Sequence, residues 1–275
     1  MSGEVIPCRA RGRFKEKGFD LLVGDLVEIA PEEKVIENVC PRRNRLLRPP
    51  VANIDQVIAL ISVSKPPLDL VFLDRLLVTV EKAGLETVIC LNKIDLLTVP
   101  ETDRIEEICD VFRDCGYNVV LASALTGLGV SELIFGFRNK VNVFAGPSGT
   151  GKSTFINRLK PSLALPSGPV SQKTKRGRHT TRHVELFELD EGTFVVDTPG
   201  FQRLNLEGIA KEELSSYFRE MASLPEPCRF SSCLHRAEPG CAVKEALQKG
   251  KIATWRYNHY LDFLEEIEEL ERKKY

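Results

Sequence analysis

No stretch of this 275-residue sequence approaches the roughly 18 consecutive apolar residues that cross a bilayer, and the opening MSGEVIPCRA lacks the apolar segment of a secretory signal. Both absences lead us to expect a soluble, cytoplasmic protein with no membrane partner. Net charge is equally scant. With 38 Lys and Arg against 39 Asp and Glu the formal charge is -1, which excludes binding to nucleic acid through overall charge, so any basic surface must be local. The sequence has no internal repeat and no low-complexity tract, which excludes a solenoid. Cysteines number eight, and Cys8, Cys40, Cys90, Cys109 and Cys115 stand singly in apparent strands and helices. That scatter excludes a disulfide framework and suits a reducing compartment. Only Cys228, Cys233 and Cys241 cluster.

What is present is ordinary globular material, 43% hydrophobic and 28% charged, long enough for two or three domains. Residues 1–48 carry short alternating segments (VIPCRARGRF, DLVEIA, KVIENVC) that predict a small β-barrel or meander, closed by Pro49-Pro50. From 51 to 206, short apolar runs (VIALISV, TVICLN, NVVLAS, VNVFAG, TFVVD) mostly alternate with amphipathic helical stretches such as residues 68–83. That alternation predicts a parallel sheet covered by helices, the α/β class. Residues 207–275 predict a smaller helical unit, interrupted by the cysteine cluster and followed by a Glu-rich helix from residue 255.

The strongest motif is Gly146-Pro147-Ser148-Gly149-Thr150-Gly151-Lys152-Ser153, after the apolar run VNVFA and before the helical run that begins at Thr154. Glycines there let backbone N–H groups wrap phosphates, Lys152 neutralises the β/γ oxygens and Ser153 offers a hydroxyl to Mg²⁺. Asp197, in FVVDTPG, ends another apolar run and can reach the same Mg²⁺ through water, while Gly200 leaves its N–H for a γ-phosphate. Asn92-Lys93-Ile94-Asp95 ends a third run. A carboxylate at Asp95 accepts guanine N1–H and the exocyclic amine, which adenine lacks. Ser123 and Ala124, after a fourth run, bring the Ala124 N–H to guanine O6. Together these predict a site for GTP and GDP.

The order is unusual, because the guanine motifs at 92–95 and 123–124 precede the phosphate loop at 146. The same site in space implies a circularly permuted P-loop GTPase domain, and the segment after Asp197 then leads straight into the C-terminal unit. Residues 166–183 form a polar, basic stretch long enough for a switch. Thr180 and Thr181 are both candidates to complete the Mg²⁺ shell, with Thr181 preferred. The position after Gly200 is Phe201, which cannot orient water as a glutamine does in many small GTPases. His179 is the best polar substitute for that catalytic role; its alternative is an exposed loop histidine.

Cys228, Cys233, His235 and Cys241 supply three thiols and an imidazole, the set for one structural, tetrahedral Zn²⁺. Arg9, Arg11, Arg13, Lys15 and Lys17 occupy alternate positions, so on a strand they would line one face, either as an RNA-backbone strip or as a solvated edge.

With CRARGRF, RPPVANIDQV, LDRLLV, RGRHTTRHVEL, VDTPGF and the cysteine cluster ending EPGCAVKEAL, the chain resembles the RsgA/YjeQ family over nearly its whole length. The resemblance implies an N-terminal OB-fold, the permuted GTPase domain and a zinc-binding C-terminal domain. It further implies action on the 30S subunit and its 16S rRNA late in maturation; a monomer is expected. Family members usually carry roughly two further strands before CRARG, so an incomplete barrel, or one closed by another element, is expected. Two other readings compete: an RNA-binding module with a structural nucleotide, and a metabolic P-loop kinase, which the guanine motifs oppose.

Overall fold

The computed structural model describes residues 5–12, 14, 19–47, 50–163, 184–197 and 204–273. Five apolar runs of the sequence become strands of one six-stranded sheet. These are β6 (Gln56–Ser62), β7 (Glu86–Asn92), β8 (Asn118–Ala122), β9 (Val141–Ala145) and β11 (Thr193–Asp197). All five pair in parallel, and the order across the sheet is β10-β11-β9-β6-β7-β8. The remaining strand, β10 (Glu185–Asp190), is an antiparallel edge that returns into β11 through Glu191-Gly192. The sequence pattern did not single it out, because its half-buried residues alternate without an apolar run.

Burial on both faces explains why these runs are continuously apolar. Val57, Ala59 and Ile61 of β6 face a core with helices α1 (Leu70–Lys82) and α2 (Val99–Asp114). Ile58 and Leu60 face the opposite core, with α3 (Val130–Phe135) and α4 (Lys152–Leu159). Helix α1 starts where Asp69 accepts the Phe72 N–H at 2.9 Å, and α2 starts with a Thr98/Glu101 capping box.

The small N-terminal unit is built of strands β1 (Arg9–Ala10), β2 (Val27–Ala30) and β3 (Val35–Val39), in the order β1-β3-β2, and a hairpin of β4 (Arg45–Leu47) and β5 (Pro50–Ala52). That hairpin straddles the boundary drawn at 48–51, and its Leu46 and Val51 join the core of the central sheet. One expectation fails here. Strand β1 ends at Ala10, and Gly12 and Phe14 have helical backbone, so the two-residue alternation from Arg9 to Lys17 does not describe one strand face. Phe14 contacts Phe19 at 6.2 Å between ring centroids, and the Phe19 N–H donates to Phe14 O at 2.9 Å.

After β11 the chain forms α5 (Arg219–Ala222), α6 (Ala242–Gln248) and α7 (Thr254–Arg272), with their own core of Leu214, Phe218, Val243, Tyr260, Phe263 and Ile267. Val78 of α1 belongs to this core, so the unit packs directly on the nucleotide-type domain.

Candidate functional site: a phosphate loop and a guanine edge

In an open parallel sheet, ligands bind at the carboxyl ends of strands, where successive connections leave in opposite directions. Here the chain runs from β6 outward to β7 and β8, then returns to β9 on the other side of β6. The phosphate loop follows β9, the NKID segment follows β7 and Ser123-Ala124 follows β8. Three motifs far apart in sequence thus share one edge.

Asn92, buried at the end of β7, joins all three. Its amide nitrogen donates to Thr150 O at 2.8 Å, and its amide oxygen accepts the Ala124 N–H at 3.0 Å. The sequence assigned that N–H to guanine O6. In the structure that N–H donates to the buried Asn92 oxygen. Asp95 lies on the 3-10 turn Ile94–Leu96 and accepts the Ser123 hydroxyl at 2.5 Å. This fixes one carboxylate oxygen against the Ser123 loop. Lys93 adopts a left-handed backbone (φ 72°), and its ammonium donates to Gly149 O at 2.6 Å and to Lys65 O. Burial holds Lys93 below the ordinary lysine range, against the pull of Asp95.

The loop itself is tight. Gly151 has φ 100°, and a Cβ there would sit 2.5 Å from Asn92 Nδ2; a Cβ on Gly146 would sit 2.1 Å from Leu60 O. Only glycine leaves room for these approaches. Lys152, at the start of α4, turns its ammonium back over the loop and donates to Gly146 O at 2.8 Å and Pro147 O at 2.7 Å. Thr150 Oγ1 donates to Pro147 O at 3.0 Å. The result is a curled backbone with a cation at its centre, the arrangement that receives a polyphosphate. Ser153 and Thr154 lie in the first turn of α4, and Ser148 is exposed on the loop. The Asp197 side chain, Thr180, Thr181, His179, Gly200 and Phe201 lie outside the described residues, as do Arg13, Lys15 and Lys17.

The guanidinium of Arg158, in the last turn of α4, reaches the loop after β8 and donates to the carbonyls of Leu125 and Thr126, both at 3.0 Å. Motif reading missed it, and the only signal is an arginine on the helix that opens at the phosphate loop. Of the predicted basic strip, Arg9 is exposed in β1, whereas Arg11 is paired with Glu37 at 3.1 Å and Glu33 at 3.5 Å.

In the C-terminal unit the four ligand atoms of Cys228, Cys233, His235 and Cys241 lie within 4.8 Å of one another. A tetrahedral zinc with bonds of about 2.3 Å to sulfur and 2.0–2.1 Å to nitrogen has edges of about 3.8 Å between sulfurs and about 3.5 Å from sulfur to nitrogen. The observed separations are 3.9 Å for Cys228 to Cys241, 3.5 Å for Cys228 to His235 Nδ1 and 3.4 Å for His235 Nδ1 to Cys241. The donor set therefore fits the ion in both chemistry and size. Its backbone is pinned from outside, since Tyr257 donates to His235 O at 2.6 Å and Tyr260 to Leu234 O at 3.0 Å. Glu238 accepts the N–H groups of Leu234 and Arg236, each at 2.8 Å.

The chain is similar to known proteins over most of its length. A family model described as RsgA GTPase matches residues 39–207, and one described as RsgA N-terminal domain matches residues 1–35. The small ribosomal subunit biogenesis GTPase RsgA of Caldanaerobacter subterraneus subsp. tengcongensis is 45% identical over 98% of this chain and 92% of its own length. Its counterpart from Moorella thermoacetica is 46% identical over 98% of this chain and 93% of its own. Among solved structures, YjeQ from Thermotoga maritima superposes with a TM-score of 0.82 at 39% identity, covering 96% of this chain and 91% of that one. YloQ, described as a circularly permuted GTPase, gives 0.80 at 36% identity, over 98% of this chain and 88% of that one.

Proposed function

This chain belongs to the RsgA family of GTPases and is a GTP hydrolase, and from that premise we propose that it acts on the small ribosomal subunit late in its maturation. In this reading the 30S subunit stimulates hydrolysis of GTP to GDP and phosphate, hydrolysis is coupled to release, and the protein works as a cytoplasmic monomer that touches 16S rRNA. The observation that carries the nucleotide assignment is the Asn92 amide, which ties the phosphate loop and the Ser123 loop into one edge.

Each residue has a task in this scheme. Loop N–H groups from Gly146 to Ser153 and the Lys152 ammonium hold the β- and γ-phosphates. Asp95, oriented by Ser123, accepts from guanine, and Lys93 fixes the loop carbonyl at Gly149. Mg²⁺, with Ser153, Asp197 and Thr181 as its proposed protein partners, neutralises phosphate charge when bound. Water then attacks the γ-phosphorus, the bond to the β,γ-bridging oxygen breaks and the proton leaves with phosphate. His179 is the proposed group that orients this water, since Phe201 has no polar atom to do so. Zinc, held by Cys228, Cys233, His235 and Cys241, supplies a structural cross-link and takes no part in the chemistry.

Co-sedimentation with separated subunits tests the proposal. The protein loaded with a non-hydrolysable GTP analogue should pellet with 30S and not with 50S, and the GDP form should stay in the supernatant. Equal pelleting in both nucleotide states would remove the coupling to release.

A further inference from the structure

We infer that Arg158 is a positioning residue for guanine selectivity, linking the helix that opens at the phosphate loop to the loop that meets the base. The inference rests on the guanine site proposed above. Helix α4 begins at Lys152, and Arg158 lies six residues on, in its last turn. One guanidinium spans three successive carbonyls after β8: Nη1 lies 3.4 Å from Ala124 O and 3.0 Å from Leu125 O, and Nη2 lies 3.0 Å from Thr126 O. Only arginine presents donors in a planar fork that can satisfy such a row, because a lysine ammonium is a single point. Gly127 leaves the space, since a Cβ there would stand 2.2 Å from Arg158 Nη2.

The clamped segment is the one that orients Asp95. Ser123 donates to Asp95 and accepts the Thr126 N–H at 3.1 Å, and Ser123 O accepts the Gly127 N–H at 2.8 Å. Beyond these bonds the segment turns outward, with Leu125 and Leu128 exposed. Ser123 and Ala124 are buried, Ala124 in the core shared with α3 and α4, so it is the exposed stretch from Leu125 to Thr126 whose conformation rests on polar ties. Asn92 holds the Ala124 end and Arg158 holds the carbonyls that follow. Without the guanidinium the Leu125 and Thr126 carbonyls would lose their donor, the Thr126 and Gly127 bonds to Ser123 would weaken and the Ser123 hold on Asp95 would loosen, while the phosphate loop, tied separately through Lys152 and Thr150, would keep its shape.

The test is the ratio of dissociation constants for ADP and GDP, measured by calorimetry on the full chain, for wild type, Arg158→Ala and Arg158→Lys. The ratio should fall roughly fivefold in Arg158→Ala, as expected for an exposed charge-assisted contact, and recover in part in Arg158→Lys, with melting temperatures near wild type. If Arg158→Ala keeps the wild-type ratio, or weakens GDP and ADP equally as its melting temperature drops, the inference is overturned while the guanine site stands. A wild type that does not prefer GDP to ADP would overturn the guanine site itself, and this inference with it.

Discussion

Arg256 and Asp74 form a fully buried ion pair between the last helix and the first helix of the sheet domain. Glu220 completes the site, accepting from Arg256 Nε at 2.5 Å and Nη2 at 3.0 Å, and His259 Nδ1 lies 2.7 Å from the second Asp74 oxygen. The guanidinium also stacks over Phe112 of α2, 5.1 Å from its ring centre. Burial opposes the charge on Arg256, but the two carboxylates outweigh it and hold its pKa above the ordinary value. The C-terminal unit is therefore fastened to α1 and α2.

Removing one partner of a buried pair strands the other, at a cost of about 3–5 kcal/mol. Arg256→Ala should lower stability by that amount. Trp255, the single tryptophan, packs against Phe112 at 5.6 Å and reports the junction by fluorescence. In urea its transition should coincide with loss of helical signal in the wild type. An unchanged midpoint in the variant would show that the pair does not hold the units together.

The cysteine cluster should hold one zinc per chain, measured by elemental analysis of protein purified without chelator. Cys241→Ser should lose the metal and loosen the C-terminal core, where Cys241 packs beside Val243 and Ala246. Nucleotide affinity should be retained, because Asn92, Lys93 and Lys152 make their contacts within the sheet domain. Stoichiometric absence of metal would contradict the site.

Asp55 gives a pH-dependent test. It starts the central sheet, accepting from Val141 N at 2.8 Å and from Arg43 Nη1 at 2.8 Å. Burial raises its pKa, but the Arg43 and Val141 bonds together prevail and hold it below the ordinary carboxylate value. A carboxyl with a depressed folded pKa stabilises above its unfolded value, near 3.9, and the gain disappears as pH falls through the folded value. Asp55→Asn should cost about 1 kcal/mol at neutral pH. That difference should shrink below about pH 4. A difference independent of pH would show that the charge is not involved.

How far the sequence could be read depended on whether the cause was local. The parallel strands were legible because burial on both faces demands continuous apolar runs, as in Val57–Ile61. The phosphate loop and the zinc ligands were legible because each chemistry fixes a short spacing. Strand β10 was not, since its edge position needs only partial burial. The helical turn at Gly12 and Phe14 was hidden by an alternation of charges that mimics a strand. Asp74 and Arg256 are 182 residues apart, so no local pattern in the sequence pairs them. Arg158 was invisible for the same reason, as its partners are carbonyls that no side-chain pattern reveals.

Within the nucleotide site, Lys152→Ala should abolish GTP turnover by removing the cation at the centre of the loop. Asp95→Asn should weaken GTP binding about tenfold while ATP binding changes little. Turnover unchanged in Lys152→Ala would place the chemistry elsewhere.

In the proposed mechanism the small subunit completes a catalytic centre whose own sequence puts Phe201 where many small GTPases carry a water-orienting glutamine. Steady-state GTP turnover by the purified protein, alone and with 30S or 50S subunits, tests it most directly. The basal rate should be slow, rise roughly tenfold or more with 30S alone, and lose that rise with added salt as phosphate contacts weaken. Equal rates under all three conditions would contradict the mechanism.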